Sequence, residues 1–470
     1  MRLAKNIFYF LSLIAIVVVY AATNQGCAQI GAPTGGLKDT LPPVLVSAVP
    51  AERTLNFTGN KIVLTFDEYV DVADVQTNLL VSPYPKGRPT VTNKLKTVTI
   101  KLKDSLKANT TYALNFGKAI KDVNEGNVFR NFTYVFSTGN TIDSQEIKGN
   151  VILAQTGKVD STLEVYLYKD AVDSTVKKKK PDYIARVNGK GNFIFRYLPV
   201  GEFSMYAIKD DDGSKTYNSK TEVFAFADSI INTATAKGRI KLYAYAEEEK
   251  TKVTPKSILP KKPSKDKNER LLRFKTSVAG GASQDLLSPF EIDFSHEVKN
   301  IDSLKIRITD TLFNPINTIL TIDSTQKKVF LQTDWAENTA YRFIIDSSAV
   351  SDSVGTHIAK TDTIGFKTKQ SSDYGSLVLR FTNFDAKKHP VLQFVQNSLL
   401  VRSVPITATS WNDNLVPPGE YELRVLYDTN NDGVWTPGSY AKKLQPERVI
   451  SLDKKLTIKA DWDNERDVEL

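Results

Sequence analysis

From residue 39 onward, apolar and polar positions alternate in short runs. Residues 61–66 read Lys-Ile-Val-Leu-Thr-Phe, 97–102 Thr-Val-Thr-Ile-Lys-Leu, 111–116 Thr-Tyr-Ala-Leu-Asn-Phe and 132–136 Phe-Thr-Tyr-Val-Phe. A period of two puts successive side chains on opposite faces of a strand, and β-branched and aromatic residues suit a half-buried sheet. Turn material such as Val123-Asn124-Glu125-Gly126-Asn127 separates the runs at short spacing, which predicts β-sandwiches. Further on, an aromatic strand at 192–198 runs into Pro199-Val200-Gly201-Glu202-Phe203. Proline pre-sets φ and glycine accepts a positive φ, so a tight turn between strands is expected there. Residues 247–270 break the pattern: they are charged, proline-bearing and almost without side chains to bury, and read as a solvated linker.

The chain after the linker repeats the chain before it. Phe66 is answered by Phe294, 228 positions later; Tyr112, after Asn109-Thr110-Thr111, by Tyr341, after Asn338-Thr339-Ala340, 229 later. Phe136-Ser137-Thr138 returns as Phe366-Lys367-Thr368 at 230, and Pro199-Val200-Gly201-Glu202-Phe203 as Pro417-Pro418-Gly419-Glu420-Tyr421 at 218. The expected organisation is all-β, in two copies of a two-domain unit, A–B–linker–A′–B′. Its boundaries are 39–140 for A, 146–246 for B, 247–270 for the linker, 271–370 for A′ and 374–465 for B′. Each half is expected to fold by itself, as modules on a string.

The first 26 residues differ in kind. Arg2 and Lys5 precede an unbroken apolar run at 7–22, shorter than the ~20 residues that span a bilayer, and Thr23-Asn24-Gln25-Gly26 come after it. This is the shape of a secretory signal peptide. Cys27 is the only cysteine of the chain, and residues 27–38 (CAQIGAPTGGLK) read as a flexible tether. Gly26-Cys27 resembles the lipobox of bacterial lipoproteins, although Asn24 stands where an apolar residue is usual. The resemblance implies a lipid-anchored N-terminus and an outer-membrane lipoprotein of the cell envelope, periplasmic or surface-facing. One cysteine excludes intrachain disulfides, so an oxidising compartment must be met by packing alone.

Module A resembles the bacterial Ig-like domain of the surface-layer (SbsA) type. The residues that carry this are Leu41-Pro42-Pro43-Val44, Val63-Leu64-Thr65-Phe66-Asp67-Glu68-Tyr69-Val70, Leu106-Lys107-Ala108-Asn109-Thr110-Thr111-Tyr112, Ile120-Lys121-Asp122 and Phe136-Ser137-Thr138-Gly139. Module B, from its glycine turn, aromatic strand and Leu198-Pro199-Val200-Gly201-Glu202, resembles the transthyretin-like, carboxypeptidase-regulatory-like or collagen-adhesin B-type sandwich. Both resemblances imply structural modules and carry over no catalytic residue.

Charge and chemistry narrow the function. The formal charge of +9 falls to +7 without residues 1–26, but lysines are scattered among nearly as many acids, unlike the concentrated face of a nucleic-acid binder. The dense run at 177–180 reads as a solvated loop. His296, His357 and His389 are the only histidines, and none pair at zinc spacing or suggest a Ser/His/Asp set. Asp67 and Glu68 are adjacent on a strand and face opposite ways, which is the wrong geometry for a glycosidase pair. No enzyme is expected.

Three site candidates remain. Trp335, Trp411, Trp435 and Trp462 are the only tryptophans, and large aromatics in a small sandwich ordinarily fill its core; Trp435, in a loop, is the candidate sugar platform. Asp428, Asn430 and Asp432 stand at positions one, three and five before Gly433, the first half of a calcium loop, but Ser439 replaces the closing glutamate; the alternative is an acidic β-turn. In B the matching stretch, Asp210-Asp211-Asp212-Gly213, is shorter. Asp-Ser/Thr-apolar triplets, such as Asp302-Ser303-Leu304 and Asp352-Ser353-Val354, resemble an O-glycosylation acceptor of some Gram-negative envelopes. The function expected is a non-catalytic structural, adhesive or assembly module binding another envelope protein or a glycan. The alternative is a polysaccharide-binding accessory lipoprotein.

Overall fold

The computed structural model describes residues 2–23, 38–169, 174–248, 271–452 and 454–470. Cys27, nearly all of the tether and most of the linker lie outside the described residues. Nearly everything described after residue 38 is strand and turn. The chain divides into two compact units, residues 1–143 and 144–470.

In the first unit, alternation becomes burial directly. Along Lys61–Phe66 the side chains of Ile62, Leu64 and Phe66 are buried while Lys61 is exposed. Leu45–Val49, Lys61–Phe66, Thr97–Lys101 and Thr90–Lys94 form one antiparallel sheet in that order; Leu80–Ser82, Thr111–Asn115 and Thr133–Ser137 form a three-stranded sheet, and Val70–Val72 pairs with Ile120–Asp122. Between them Phe57, Leu114, Phe116, Tyr134 and Phe136 form a single core.

The second unit holds B, A′ and B′. Module A′ repeats the strand order of A: Phe274–Thr276, Phe290–Phe294, Lys328–Gln332 and Ile319–Ile322 in one sheet, Ile306–Thr309, Ala340–Ile345 and Asp362–Lys367 in another, with Val298–Ile301 paired to Val350–Asp352. B and B′ also share one topology. In B, Gln145–Leu153 lies between antiparallel Asn192–Leu198 and parallel Arg239–Ala244; in B′, Gly375–Thr382 lies between Ser410–Val416 and Asp463–Glu469 in the same senses. The facing sheets, Tyr183–Arg186, Glu164–Tyr168, Glu202–Ile208, Phe224–Phe226 and Leu399–Pro405, Pro390–Gln396, Gly419–Tyr427, Arg448–Ser451, also match strand for strand. The sequence duplication is therefore a duplication of fold.

The recurring Asn-Thr-x-Tyr and Phe-x-Thr strings meet in space, in the same way in both copies. Thr138 Oγ1 accepts from Thr110 N at 3.0 Å and donates to Lys107 O at 2.6 Å. Thr368 Oγ1 accepts from Thr339 N at 2.9 Å and donates to Ala336 O at 2.6 Å. Asn109 and Asn338 turn the chain at positive φ, a conformation that asparagine tolerates. The hydroxyls of Tyr112 and Tyr341 accept from Lys107 N and Ala336 N. What the motif encodes is a corner lock.

Two local expectations change. The run at 177–180 is not wholly loop: Thr175–Lys178 forms a helical turn because Val176 is buried, while the lysines stay exposed. At the N-terminus a helix runs Arg2–Thr23, and its segment Lys5–Thr23, wholly exposed, has the length and composition to cross a membrane. The helical segment is longer than the apolar run at 7–22, so length does not separate a signal segment from a span.

A larger difference concerns the string. B and B′ are packed on one another within the second unit, where a long B′ loop meets strands and loops of B.

Candidate functional site: the facing loops of B and B′

In each B-type module the chain leaves a central strand, makes a long loop and returns as an edge strand. In B the loop joins Glu202–Ile208 to Phe224–Phe226; in B′ it joins Gly419–Tyr427 to Arg448–Ser451. Both loops carry acidic turn residues, and both are closed by a buried glutamate placed just before the edge strand. Glu222 Oε2 accepts from Asn218 N at 3.0 Å and Ser219 N at 3.2 Å. Glu447 Oε1 accepts from Thr429 N at 2.7 Å and Asn430 N at 3.3 Å, while its Oε2 accepts from Thr436 N at 2.9 Å. A carboxylate buried this way is stabilised by the amides it satisfies, and they in turn are left without partners if it is removed. Sequence reasoning does not single out these two glutamates. Their only signal is an acid immediately ahead of matching edge strands, Glu222-Val223-Phe224 and Glu447-Arg448-Val449.

The calcium candidates lie in the B′ loop. Asp428 is buried; its Oδ1 accepts from Asp432 N at 3.2 Å and its Oδ2 from Gly433 N at 2.6 Å. Asn430 turns its Nδ2 to Asp432 Oδ2 at 3.0 Å and Thr436 Oγ1 at 2.9 Å, and its Oδ1 accepts from Asp432 N at 3.1 Å. Among the described residues no group of three His, Cys, Asp or Glu side chains gathers as a metal site. The residues form a turn whose side chains bond their own backbone. In B, Asp212 likewise accepts from Ser214 N at 2.9 Å and from Asn218 Nδ2 at 2.7 Å, which holds its carboxyl down at about 2.

Trp435 is half-buried. Its ring lies against Val391, Leu426 and Val449, and its Nε1 donates to Glu447 O at 2.8 Å. Trp335 is buried with Nε1 bonded to Ser288 O, Trp411 packs on Phe394, and Trp462 is the exposed one at 58%. The histidines stand apart from any such cluster: His296 contacts Ser295 Oγ, His357 contacts Val350 O, and His389 ends a 3₁₀ turn in the left-handed conformation.

The remainder of the B′ loop enters B. Tyr440, 3% exposed, stands among Phe224, Phe226, Tyr206 and Tyr217, with ring centroids 5.1, 5.5, 5.8 and 6.3 Å away. Tyr440 N donates to Glu247 Oε1 at 3.0 Å, an atom that also accepts from Tyr217 Oη. Lys443 Nζ and Lys177 Nζ lie over the Tyr440 ring at 3.9 and 5.6 Å. At the rim Gln445 Nε2 donates to Phe226 O, and Lys158 pairs with Glu422 at 2.7 Å. Backbones touch as well: Val449 N donates to Ala154 O at 2.8 Å. A Cβ on Gly157 would lie 2.7 Å from Ser451 N, and one on Gly438 2.6 Å from Tyr245 Cζ, so glycine permits the close approach at both points. An aromatic anchor in a buried pocket with a polar rim is the anatomy of a specific interface.

Comparison with curated proteins gives no match. Among solved structures, similarity is found to the TIE protein of Bacillus anthracis, at 11% identity over 93% of this chain and 76% of that one, with a TM-score of 0.17. The N-terminal part of the S-layer protein SbsC matches at 17% identity over 44% and 45%, TM-score 0.16. The major pilin subunit BcpA of Bacillus cereus matches at 11% over 70% and 99%, TM-score 0.16. A family model is more specific: residues 39–138, the first of the four sandwiches, match the bacterial Ig-like domain.

Proposed function

We propose that this chain is a non-catalytic protein of the bacterial cell envelope, held to a membrane by acylated Cys27, in which tandem β-sandwiches serve as a structural, adhesive or assembly module. The observation that carries the reading is the burial of the loops. In B and B′ the aromatic and acidic loop residues, those most suited to chemistry, are spent on turn closure and on joining the two modules. An Ig-like first module and an exposed apolar helix ending four residues before the single cysteine support the same reading. Polysaccharide binding through Trp435 is not favoured, because that ring is packed and its N–H is taken.

The test is partition. Expressed in a lipoprotein-processing host, the protein should enter the detergent phase and label with a palmitate analogue. Two acyl chains hold a protein stably, at about 0.8 kcal/mol per buried methylene. Cys27→Ser should abolish the label; labelling that survives the substitution would overturn the anchor.

A further inference from the structure

The two Ig-like copies differ at one mouth of the sandwich. In A three rings fill the space beside the edge strand Thr133–Ser137. Phe129 lies 5.5 Å from Phe66 and 5.2 Å from Phe132, Phe132 lies 5.8 Å from Phe116, and Tyr134 is fully buried with its hydroxyl on Pro50 O at 2.8 Å. Residues 53–57 then run beside that strand: Arg53 N donates to Val135 O at 2.7 Å, Ser137 N to Thr54 O at 2.9 Å and Phe57 N to Ser137 O at 2.9 Å. The mouth of A is closed twice, by rings and by backbone.

In A′ both closures are reduced. The equivalent bridges Lys121–Val128 and Ser351–His357 make Phe129 into Ile358, and at the 230-residue offset of Phe136 and Phe366 the rings of Phe132 and Tyr134 become Asp362 and Ile364, and Val135 becomes Gly365. The strap reaches only the far end of Asp362–Lys367, where Gln284 N donates to Lys367 O and Lys369 N to Gln284 O. Among the described residues no backbone hydrogen bond meets the outer edge at Gly365, and a Cβ there would meet nothing within 4 Å. Between Asp362–Lys367 and Phe274–Thr276 lies a groove of about 540 Å³, walled by Leu272, Phe274, Val278, Ile358 and Ile364. Its rim carries Arg273, Lys275 and Lys360 against the single acid Asp362.

We propose that this groove takes an extended peptide of a partner protein, added as a strand along Thr363–Gly365. Its aliphatic or aromatic side chains would fill the space that rings fill in A, and carboxylates on its flanks would meet the basic rim. Strand addition to a bare edge supplies main-chain hydrogen bonds, with a pocket for alternate side chains. The occupant is a peptide because in A the same place takes a backbone as well as rings. It is acidic because opposite charge steers association, and this excludes the chain's own lysine-rich residues 251–270 as the better match. The inference goes beyond the envelope reading and stands whether or not Cys27 is acylated.

The experiment uses the full chain in detergent and a fluorescein-labelled peptide of alternating valine and threonine with two glutamates at each end. Saturable binding is expected, with slowed amide exchange across 363–365 and at least threefold weaker binding of a lysine-flanked version. Gly365→Pro removes one outward N–H, which edge strands tolerate, and should cost at least tenfold in affinity. The refilled variant Ile358→Phe/Asp362→Phe/Ile364→Tyr should lose as much while Trp335 fluorescence keeps its native spectrum. No saturable binding, or equal binding by both variants, overturns the proposal. So does self-association that the refilled variant loses without any peptide binding, which would make the occupant a second copy.

Discussion

The hydroxyls of Tyr206 in B and Tyr440 in B′ share a hydrogen bond of 3.1 Å, buried between modules, although 234 positions separate them in the chain. Their rings meet edge to face at 5.8 Å, a geometry that aromatic quadrupoles favour. A tyrosine supplied by each copy thus turns a duplicated chain into a joined one. The joint sets the B′ loop that carries Tyr440 against the strands Glu202–Ile208 and Phe224–Phe226 of B.

Tyr440→Ala should uncouple the two modules. Truncating a buried aromatic ring costs about 3–5 kcal/mol, and here it also strips the partner from Tyr206 Oη. Urea unfolding of residues 144–470 should change from one concerted transition to separate ones, read by Trp335 in A′ and by far-UV circular dichroism. An unchanged single transition would place the coupling elsewhere.

Gly157→Ala should act on the same joint from the other side. Its φ of +67° disfavours a side chain, and the new Cβ would lie 2.7 and 2.8 Å from Ser451 N and Val449 O. Backbone cannot swing aside as a side-chain tip can, so the modules should part, exposing tyrosines to quenchers. Gly126→Ala, with φ +78° but open space around it, serves as the control that carries strain without a clash.

The joint should also weaken in acid. Burial pushes the Glu422 carboxyl up, but hydrogen bonds from Arg424 and Lys158 outweigh it and hold the group at about 2. A depressed carboxyl contributes stability that is fully present above its unfolded value, near 4.3, and is lost as pH falls toward about 2. Melting temperature should drop across that window, and Glu422→Gln should flatten the drop. An unaltered pH profile in the variant would remove Glu422 from the contact.

The Asp428 turn is expected to hold without an ion. Calcium up to millimolar levels should leave Trp435 fluorescence and melting temperature unchanged, because backbone amides and Asn430 already close the turn on Asp428 and Asp432. Glu447→Ala should shift both, by about 1–3 kcal/mol in stability, since it strands buried amides. A saturable calcium response lost in Asp428→Ala/Asp432→Ala would give the loop to the metal.

The features legible in the sequence are those that repeat or alternate. Ile62, Leu64 and Phe66 announce a buried face through period two, and Thr138 and Thr368 announce a shared corner through their constant offset. The joint is illegible for a physical reason. Tyr440 sits in Gly438-Ser439-Tyr440-Ala441, a stretch with no period, and its partners Phe224 and Tyr206 are more than 200 residues away. Nothing local marks such a residue as buried. Trp435 and Asp428 stand out for chemistry because their types are rare or charged, and the same properties serve packing and turn closure here. The linker's composition suggests that the halves part, whereas B and B′ are joined through the Tyr440 loop, to which Glu247, the linker's first residue, also bonds.

The most direct test is therefore to cut the linker and ask whether the halves separate. A site-specific protease sequence placed within residues 251–270 of the detergent-solubilised chain would be cleaved to completion and the product sized at micromolar concentration. If B and B′ are joined through Tyr206, Tyr440 and Val449, the two fragments should co-elute as one species, and Tyr440→Ala should release them. Two fragments that separate without any substitution would show modules on a string and contradict the account.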